Sequence, residues 1–403
     1  MTKVKEKQNI PEGWVSKSVS NLCDNLDNKR VPVTKADRVS GDIPYYGATG
    51  IIDYVDNYIF DDEILLIGED GADWSAFANT SFLVSGKSWV NNHAHVLKCK
   101  DGVMSPYLKE YFNWKNLDCY TTGGTRKKLN KEALMNIPVV LPESKREQQK
   151  IAEVLGAVDE EIEKTKKVIK ATEKLKKGLM QNLFTRGIGY EKHKETKIGS
   201  IPEEWKLVTL GEIREFITSG SRGWAKYYSN KGALFIRVTN LSKFSKTIDL
   251  TDNKYVTVPE GGEGLRTKVQ TGDILISITA DLGRIGLVEE GLGDAYVNQH
   301  IALVRLNETK VRPDFVAEYL RTSIARKQFL SSNEGGTKLG LSLPTVDKTL
   351  VPVPSKKEQE KIAEILSAVD EKTAVNKKLL ANQTELKKGL MQDLLSGVKR
   401  VII

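Results

Sequence analysis

One segment of this chain occurs twice. The stretch from Ser144-Lys145-Arg146-Glu147 to Leu183 returns 211 positions later as Ser355-Lys356-Lys357-Glu358 to Leu394, with no insertion or deletion between the copies. Each copy opens just after a proline, Pro142 or Pro354, with Ser-x-x-Glu. That pattern predicts a capping box, in which each side chain satisfies a backbone N–H left unpaired by the first helical turn. Apolar and small residues then follow at Ile151, Leu155, Val158, Ile162, Thr165, Ile169 and Thr172, and in the second copy Ile362, Leu366, Val369, Thr373, Asn376, Leu380 and Gln383 keep the spacing. A strict 4–3 alternation marks a narrow coiled-coil stripe rather than a broad core face. Both copies then break step, at Leu175, Leu179, Leu183 and at Leu386, Leu390, Leu394.

Some 40 helical residues span roughly 60 Å, the scale of a spacer rod. So narrow a stripe needs a partner, and the other copy supplies it. The predicted pairing residues are Ile151, Leu155, Val158, Ile162, Ile169 and Leu179 in the first copy, and Ile362, Leu366, Val369, Leu380 and Leu390 in the second. Two unrelated surface helices would need neither shared caps nor a shared phase.

The segments between the rods are duplicated too. Ile10-Pro11-Glu12-Gly13-Trp14 is answered by Ile201-Pro202-Glu203-Glu204-Trp205, Val90-Asn91-Asn92-His93 by Val297-Asn298-Gln299-His300, and Gly123-Gly124-Thr125-Arg126 by Gly335-Gly336-Thr337-Lys338. The predicted order is a first domain (1–142), a rod (143–187), a linker (188–200), a second domain (201–354) and a second rod (355–403). The linker is placed by glycines and charges without periodicity. Runs such as Ile64–Ile67, Phe82–Val84, Leu234–Val238, Ile274–Ile278 and Ile301–Val304 read as strands, and Pro106–Trp114 and Pro313–Leu330 as helices. The domains are therefore expected to be mixed α/β (α+β), alike in frame and different in content.

The formal charge of +8 invites a nucleic-acid partner. Its distribution is uneven. Lys and Arg exceed Asp and Glu by 11 to 8 in residues 143–187 and by 10 to 7 in 355–403, so the domains themselves are near neutral and would bind DNA through local patches. No run is apolar enough to cross a bilayer, which predicts no membrane partner and a cytoplasmic location. Cys23, Cys99 and Cys119 form no Cys-x-x-Cys pair and are expected to be packed thiols.

Catalytic motifs are missing. Gly86-Lys87-Ser88 resembles the end of a phosphate loop, but position 81 is Ser rather than Gly. His93 and His95 are spaced like ligands on one strand face, yet only His93 has a counterpart, His300, which favours hydrogen-bonding roles over a metal.

Glu147-Gln148-Gln149-Lys150-Ile151-Ala152-Glu153 with Leu175-Lys176-Lys177-Gly178-Leu179-Met180-Gln181, and Glu358-Gln359-Glu360-Lys361-Ile362-Ala363-Glu364 with Leu386-Lys387-Lys388-Gly389-Leu390-Met391-Gln392, resemble the two spacer regions of the specificity subunits of type I restriction-modification enzymes. The resemblance covers essentially the whole chain. Pro44-Tyr45-Tyr46-Gly47 and Phe235-Ile236-Arg237-Val238-Thr239-Asn240 look like parts of that family's target recognition domains. It implies a non-catalytic subunit that reads double-stranded DNA, with the two helices paired as an antiparallel coiled coil. Two methyltransferase subunits would carry S-adenosylmethionine, and motor-nuclease restriction subunits would use ATP and Mg. Each domain would read half of a split target, with the gap set by the rods.

Base or phosphate contacts are expected from exposed polar and aromatic loop residues. The candidates are Arg30, Lys35, Arg38, Tyr45 and Tyr46 in the first domain, and Ser221, Arg222, Trp224, Lys226, Tyr227, Tyr228, Arg237 and Asn240 in the second. Arg126, Lys127, Lys128 and Lys338, beside Gly-Gly-Thr, suit phosphates, because glycine lets backbone N–H groups approach an anion. The alternative is a non-catalytic scaffold whose duplicated domains grip proteins.

Overall fold

The computed structural model describes residues 10–402 except 126, 244, 259–263 and 332–339. It forms two compact units, residues 1–167 with 378–403, and residues 168–377. Two long helices, α4 (Lys145–Arg186) and α9 (Lys356–Leu395), contribute to both.

In the first unit, β1 (Trp14–Ser18) pairs antiparallel with β10 (Pro138–Pro142), tying the start of the domain to its end. The short helix α1 (Val19–Leu22) leads into a four-stranded sheet ordered β2 (Cys23–Asn25), β9 (Ala94–Cys99), β6 (Ile64–Gly68), β7 (Ser81–Val84). A second sheet is ordered β4 (Gly50–Val55), β3 (Ser40–Gly47), β8 (Lys87–Val90), β5 (Phe60–Asp61), with β3 and β8 parallel. Helix α2 (Ser105–Trp114) lies between sheet and long helices, and α3 (Lys131–Met135) precedes β10. Leu65, Ile67 and Leu97 from the sheet, Tyr107, Leu108 and Phe112 from α2, Ile151 and Leu155 from α4, and Met391, Leu394 and Leu395 from α9 share one core.

The second unit repeats this plan. β13 (Lys206–Thr209) pairs with β22 (Leu350–Val353), and α5 (Leu210–Ile213) leads into the sheet β14 (Arg214–Ser219), β21 (Ile301–Leu306), β18 (Ile274–Ser277), β19 (Ile285–Leu287). The other sheet is β15 (Tyr228–Ser229), β17 (Tyr255–Val256), β16 (Ala233–Ile236), β20 (Ala295–Val297), again with one parallel pair, β16 and β20. The segment read as an irregular linker carries a hairpin, β11 (His193–Thr196) and β12 (Gly199–Pro202). The single helix expected over 313–330 is two, α6 (Pro313–Leu320) and α7 (Ser323–Ser331), because the Thr322 hydroxyl accepts the Ala325 N–H and starts a new helix. Helix α8 (Leu343–Asp347) precedes β22, and Phe184, Phe315, Tyr319, Ile362 and Leu366 sit in the core.

Within each unit, one half of α4 packs against the oppositely running half of α9, as an antiparallel pair. Ile151, Leu155, Ile162, Ile169, Ile362 and Leu366 are buried, and Val158, Leu179, Val369, Leu380 and Leu390 are partly buried. Two expectations are corrected. The stripe does not break step: Leu175 and Leu386 are exposed, at 56% and 57%, while the 4–3 rhythm continues through buried Lys176 and its counterpart Lys387. Apolar periodicity passed over these lysines because their charge is neutralised by partners that lie far away in sequence. The capping boxes are also only half made. Ser144 and Ser355 accept the Glu147 and Glu358 N–H groups at 3.4 Å, but the glutamate side chains serve tertiary contacts. Glu147 takes a bidentate ion pair from Arg400. Glu358 accepts the Ile188 N–H, the Tyr190 hydroxyl and the Trp205 indole N–H.

Candidate nucleic-acid interface

The loops of each domain carry the polar and aromatic residues expected at DNA. In the first domain they rest on a buried ion network. His95 on β9 places Nδ1 2.7 Å from an Asp27 carboxylate oxygen and Nε2 2.7 Å from the Leu129 carbonyl. Both ring nitrogens thus face oxygen acceptors, a carboxylate on one side and a carbonyl on the other. Burial opposes ionisation of Asp27, yet the hydrogen bond and charge of His95, with the Val96 N–H and Asn25, hold its pKa below the ordinary value. Glu69 is likewise held low against burial, by Lys128 and Arg30. Asp27, Glu69 and His95 bring ligand atoms within 4.8 Å of one another. The Arg30 guanidinium contacts both carboxylates and both histidine nitrogens are bonded, so the cluster is complete as an ion network.

This network engages several residues expected at DNA. Arg30 bonds Glu69 at 2.5 Å and the Ala94 carbonyl at 2.8 Å, and its side chain is 13% exposed. Lys128 pairs with Glu69 at 2.8 Å and Lys127 with Asp118 at 2.6 Å, but both ammonium groups stay exposed at the surface. Arg126 lies outside the described residues. Asp53 and Arg38 form an ion pair at 2.9 Å, which lowers the pKa of the acid and raises that of the base, and Arg38 stacks 4.3 Å above the Tyr45 ring. Tyr45 itself is buried, its hydroxyl accepting from Val33 N–H and donating to Val33 O. It braces the 33–38 loop and is not placed to read a base. Tyr46 is half-buried, with its phenol pKa raised by that burial, and Lys35 is exposed.

In the second domain the expected cluster splits in two. Trp224 is buried, stacked on Phe235 at 5.7 Å and edge-on to Tyr227, and Ser221 is buried beside Thr267. Asn240 staples its loop, its side chain accepting Arg237 N–H and donating to the Asp249 and Asp252 carbonyls. The Arg237 guanidinium holds Asp252. These are scaffold positions. Arg222, Lys226 and Tyr228 remain exposed on the same stretch, with Lys226 4.9 Å above the Tyr227 ring. Lys338 lies outside the described residues.

Two features escaped the sequence reading. Arg266, Lys268 and Arg305 gather with Phe216 around one recess, brought together from strands and a loop distant in sequence. Their one local signal is the alternation Arg266-x-Lys268. In the first domain Phe77 is 38% exposed and adopts a left-handed φ of 64°, a strained conformation for a bulky side chain. A few residues before it, Gly71 to Trp74 line a recess with Asp118, Gly124, Thr125 and Lys127.

Two mixed α/β domains of one plan, bound to an antiparallel helix pair and presenting cationic and aromatic loops, define a duplicated recognition protein. The family model described as the type I restriction modification DNA specificity domain matches residues 11–171 and again 202–384. A Haemophilus influenzae protein assigned as a type I restriction enzyme specificity subunit is 30% identical over 354 residues, covering 87% of this chain and 86% of its own length. The MjaVIII specificity subunit of Methanocaldococcus jannaschii is 24% identical over 418 residues, 97% of this chain and 94% of the relative. The crystal structure of a type I S subunit from M. genitalium superposes with a TM-score of 0.63 at 18% identity, covering 98% and 99% of the two chains. The chain belongs to the type I restriction-modification DNA specificity family.

Proposed function

We propose that this chain is the sequence-specific DNA-recognition subunit of a type I restriction-modification complex, each domain reading one half of a bipartite target. The carrying observation is that one frame is built twice around different contents. The frame comprises paired end strands, two four-stranded sheets and a long-helix contact, and it recurs in both units. The exposed loops differ, with Lys35, Phe77, Lys127 and Lys128 in one domain and Arg222, Lys226 and Tyr228 in the other. Different loops on the same frame suit different half-sites, with phosphate contacts orienting each domain and base-edge contacts choosing the sequence.

In this reading the subunit is non-catalytic and works in the cytoplasm. S-adenosylmethionine belongs to two methyltransferase subunits, and ATP with Mg to the motor-nuclease subunits. The helix pair acts as a ruler for the gap between half-sites. The test is to co-express the chain with its methyltransferase and map modified adenines in the host DNA by single-molecule sequencing. A split, asymmetric motif with a fixed gap is expected. An assembled, active complex that marks no motif favours the protein-gripping scaffold instead.

A further inference from the structure

Two thiols face each other on one rung of the first domain's sheet. β2 and β9 run antiparallel with Cys23 opposite Cys99, and the two Sγ atoms lie 3.6 Å apart. Backbone bonds fall on the adjacent rung, Lys100 N–H to Leu22 O, and on the third rung to the other side, Leu26 N–H to Val96 O, the alternation of an antiparallel ladder. The cysteines therefore occupy a non-hydrogen-bonded position, where opposed Cα atoms approach to about 4.5 Å. That separation lies inside the range of about 4.4–6.8 Å that a disulfide spans. The fold does not require thiols here: the matching rung of the second domain holds Arg214 opposite Leu306.

The two sulfurs differ in environment. Cys23 is buried in the core, whereas Cys99 is partly exposed. The hydrogen bond from Cys23, helped by Ser105, lowers the Cys99 pKa against the effect of burial. The same contact, with burial, pushes the Cys23 thiol far up. A small oxidant thus meets first the more exposed sulfur, Cys99, whose thiolate is the better stabilised of the two, with the Cys23 thiol directly behind it.

We propose that Cys23 and Cys99 are a reversible redox modification site that closes to a disulfide with a hydroperoxide as oxidant. The Cys99 thiolate attacks one peroxide oxygen, the O–O bond breaks, and the departing oxygen leaves as water or alcohol after taking a proton. Cys99 is then a sulfenic acid. The Cys23 sulfur attacks the Cys99 sulfur, the S–O bond breaks, and the hydroxyl leaves as water with the Cys23 proton. The sulfurs together lose two electrons and the peroxide gains two. A dithiol reverses the change by exchange.

The full chain is treated with hydrogen peroxide, and its thiols and peptides are followed by mass spectrometry. Of the three cysteines, only Cys119 should remain a free thiol. The mass should fall by about two hydrogens, a non-reducing digest should yield a peptide pair joined at Cys23 and Cys99, and dithiothreitol should restore every thiol. In Cys23→Ser, Cys99 should pass instead to the sulfinic acid, which dithiothreitol does not reverse. The proposal is overturned if wild-type Cys99 gains oxygens while Cys23 stays free, or if oxidation is confined to Cys119 between chains. An unreacted Cys23–Cys99 pair overturns it too.

Discussion

Lys176 of α4 donates to Asp370 of α9 at 2.5 Å, and 211 positions further on Lys387 of α9 donates to Asp159 of α4 at 2.6 Å. The two helices exchange the same pair in opposite directions, once in each unit. Each lysine also reaches a glutamate on its domain's inner helix, Lys176 to Glu318 at 3.1 Å and Lys387 to Glu110 at 3.1 Å. One ammonium group thereby joins both long helices to the domain they carry. A one-turn slip would bury a lysine without its acid, so the pairs set register in the manner of polar seam residues in coiled coils.

Glu318 is fully buried among Lys176, Lys246 and Arg321. Removing it takes from Lys246 the carboxylate it pairs with and leaves Lys176 and Arg321 only Asp370 to share. Glu318→Ala should lower stability by about 3–5 kcal/mol, measured by urea unfolding, whereas Asp370→Asn leaves Lys176 its second acid and should do much less harm. The exchange Lys176→Asp with Asp370→Lys should recover less than wild-type stability, since Glu318 would then face an aspartate.

Acid should unfold the protein through its internal carboxylates. Asp27, Glu69, Asp159 and Glu318 all have pKa values lowered in the folded state, each against opposing burial. A depressed carboxylate contributes stability that is present above its unfolded value of about 4 and lost as pH falls through the folded value. Melting temperature should therefore hold near neutrality and drop steeply below about pH 4. A flat profile down to pH 3 would contradict the buried networks.

The ruler can be shortened without touching its locks. Removing seven residues from each helix between the locks, 163–169 in α4 and 374–380 in α9, preserves heptad phase and all four locking residues, Asp159, Lys176, Asp370 and Lys387. The mapped methylation motif should keep both half-sites and lose spacer base pairs. Altered half-sites with an unchanged gap would defeat the ruler.

Exposed and buried candidates should separate by phenotype. Arg222→Ala and Tyr228→Ala should weaken DNA binding by the assembled complex with little change in melting temperature. Tyr45→Phe removes a buried hydroxyl that both accepts and donates, and should reduce stability by about 1–2 kcal/mol. Filter binding and thermal melts on the same preparations distinguish the two classes. A stable Tyr45→Phe with lost DNA binding would reverse the assignment of Tyr45 as a brace.

Exchanging residues 201–354 for the second domain of another family member should change one half-site and leave the other. Both changing together would show that the domains do not read independently.

The sequence by itself determined the duplication, the position and phase of the two long helices, and the mixed α/β character of the domains. Each of these is a local or periodic property: a Ser-x-x-Glu start, a 4–3 stripe, β-branched runs between turn residues. Tertiary structure alone decided what the polar residues do. Lys176 and Lys387 look like solvated charges until acids from another helix and another domain arrive beside them. Glu147 and Glu358 have the spacing of caps but face Arg400 and Trp205, more than a hundred residues away. Tyr45, Trp224 and Asn240 have the composition of a recognition loop, yet the chain folds over them. Cys23 and Cys99 meet only because β2 and β9 pair. Charge and hydrogen bonding act over a few ångströms in space, so their partners are fixed by where the chain returns, and a linear pattern does not carry that information.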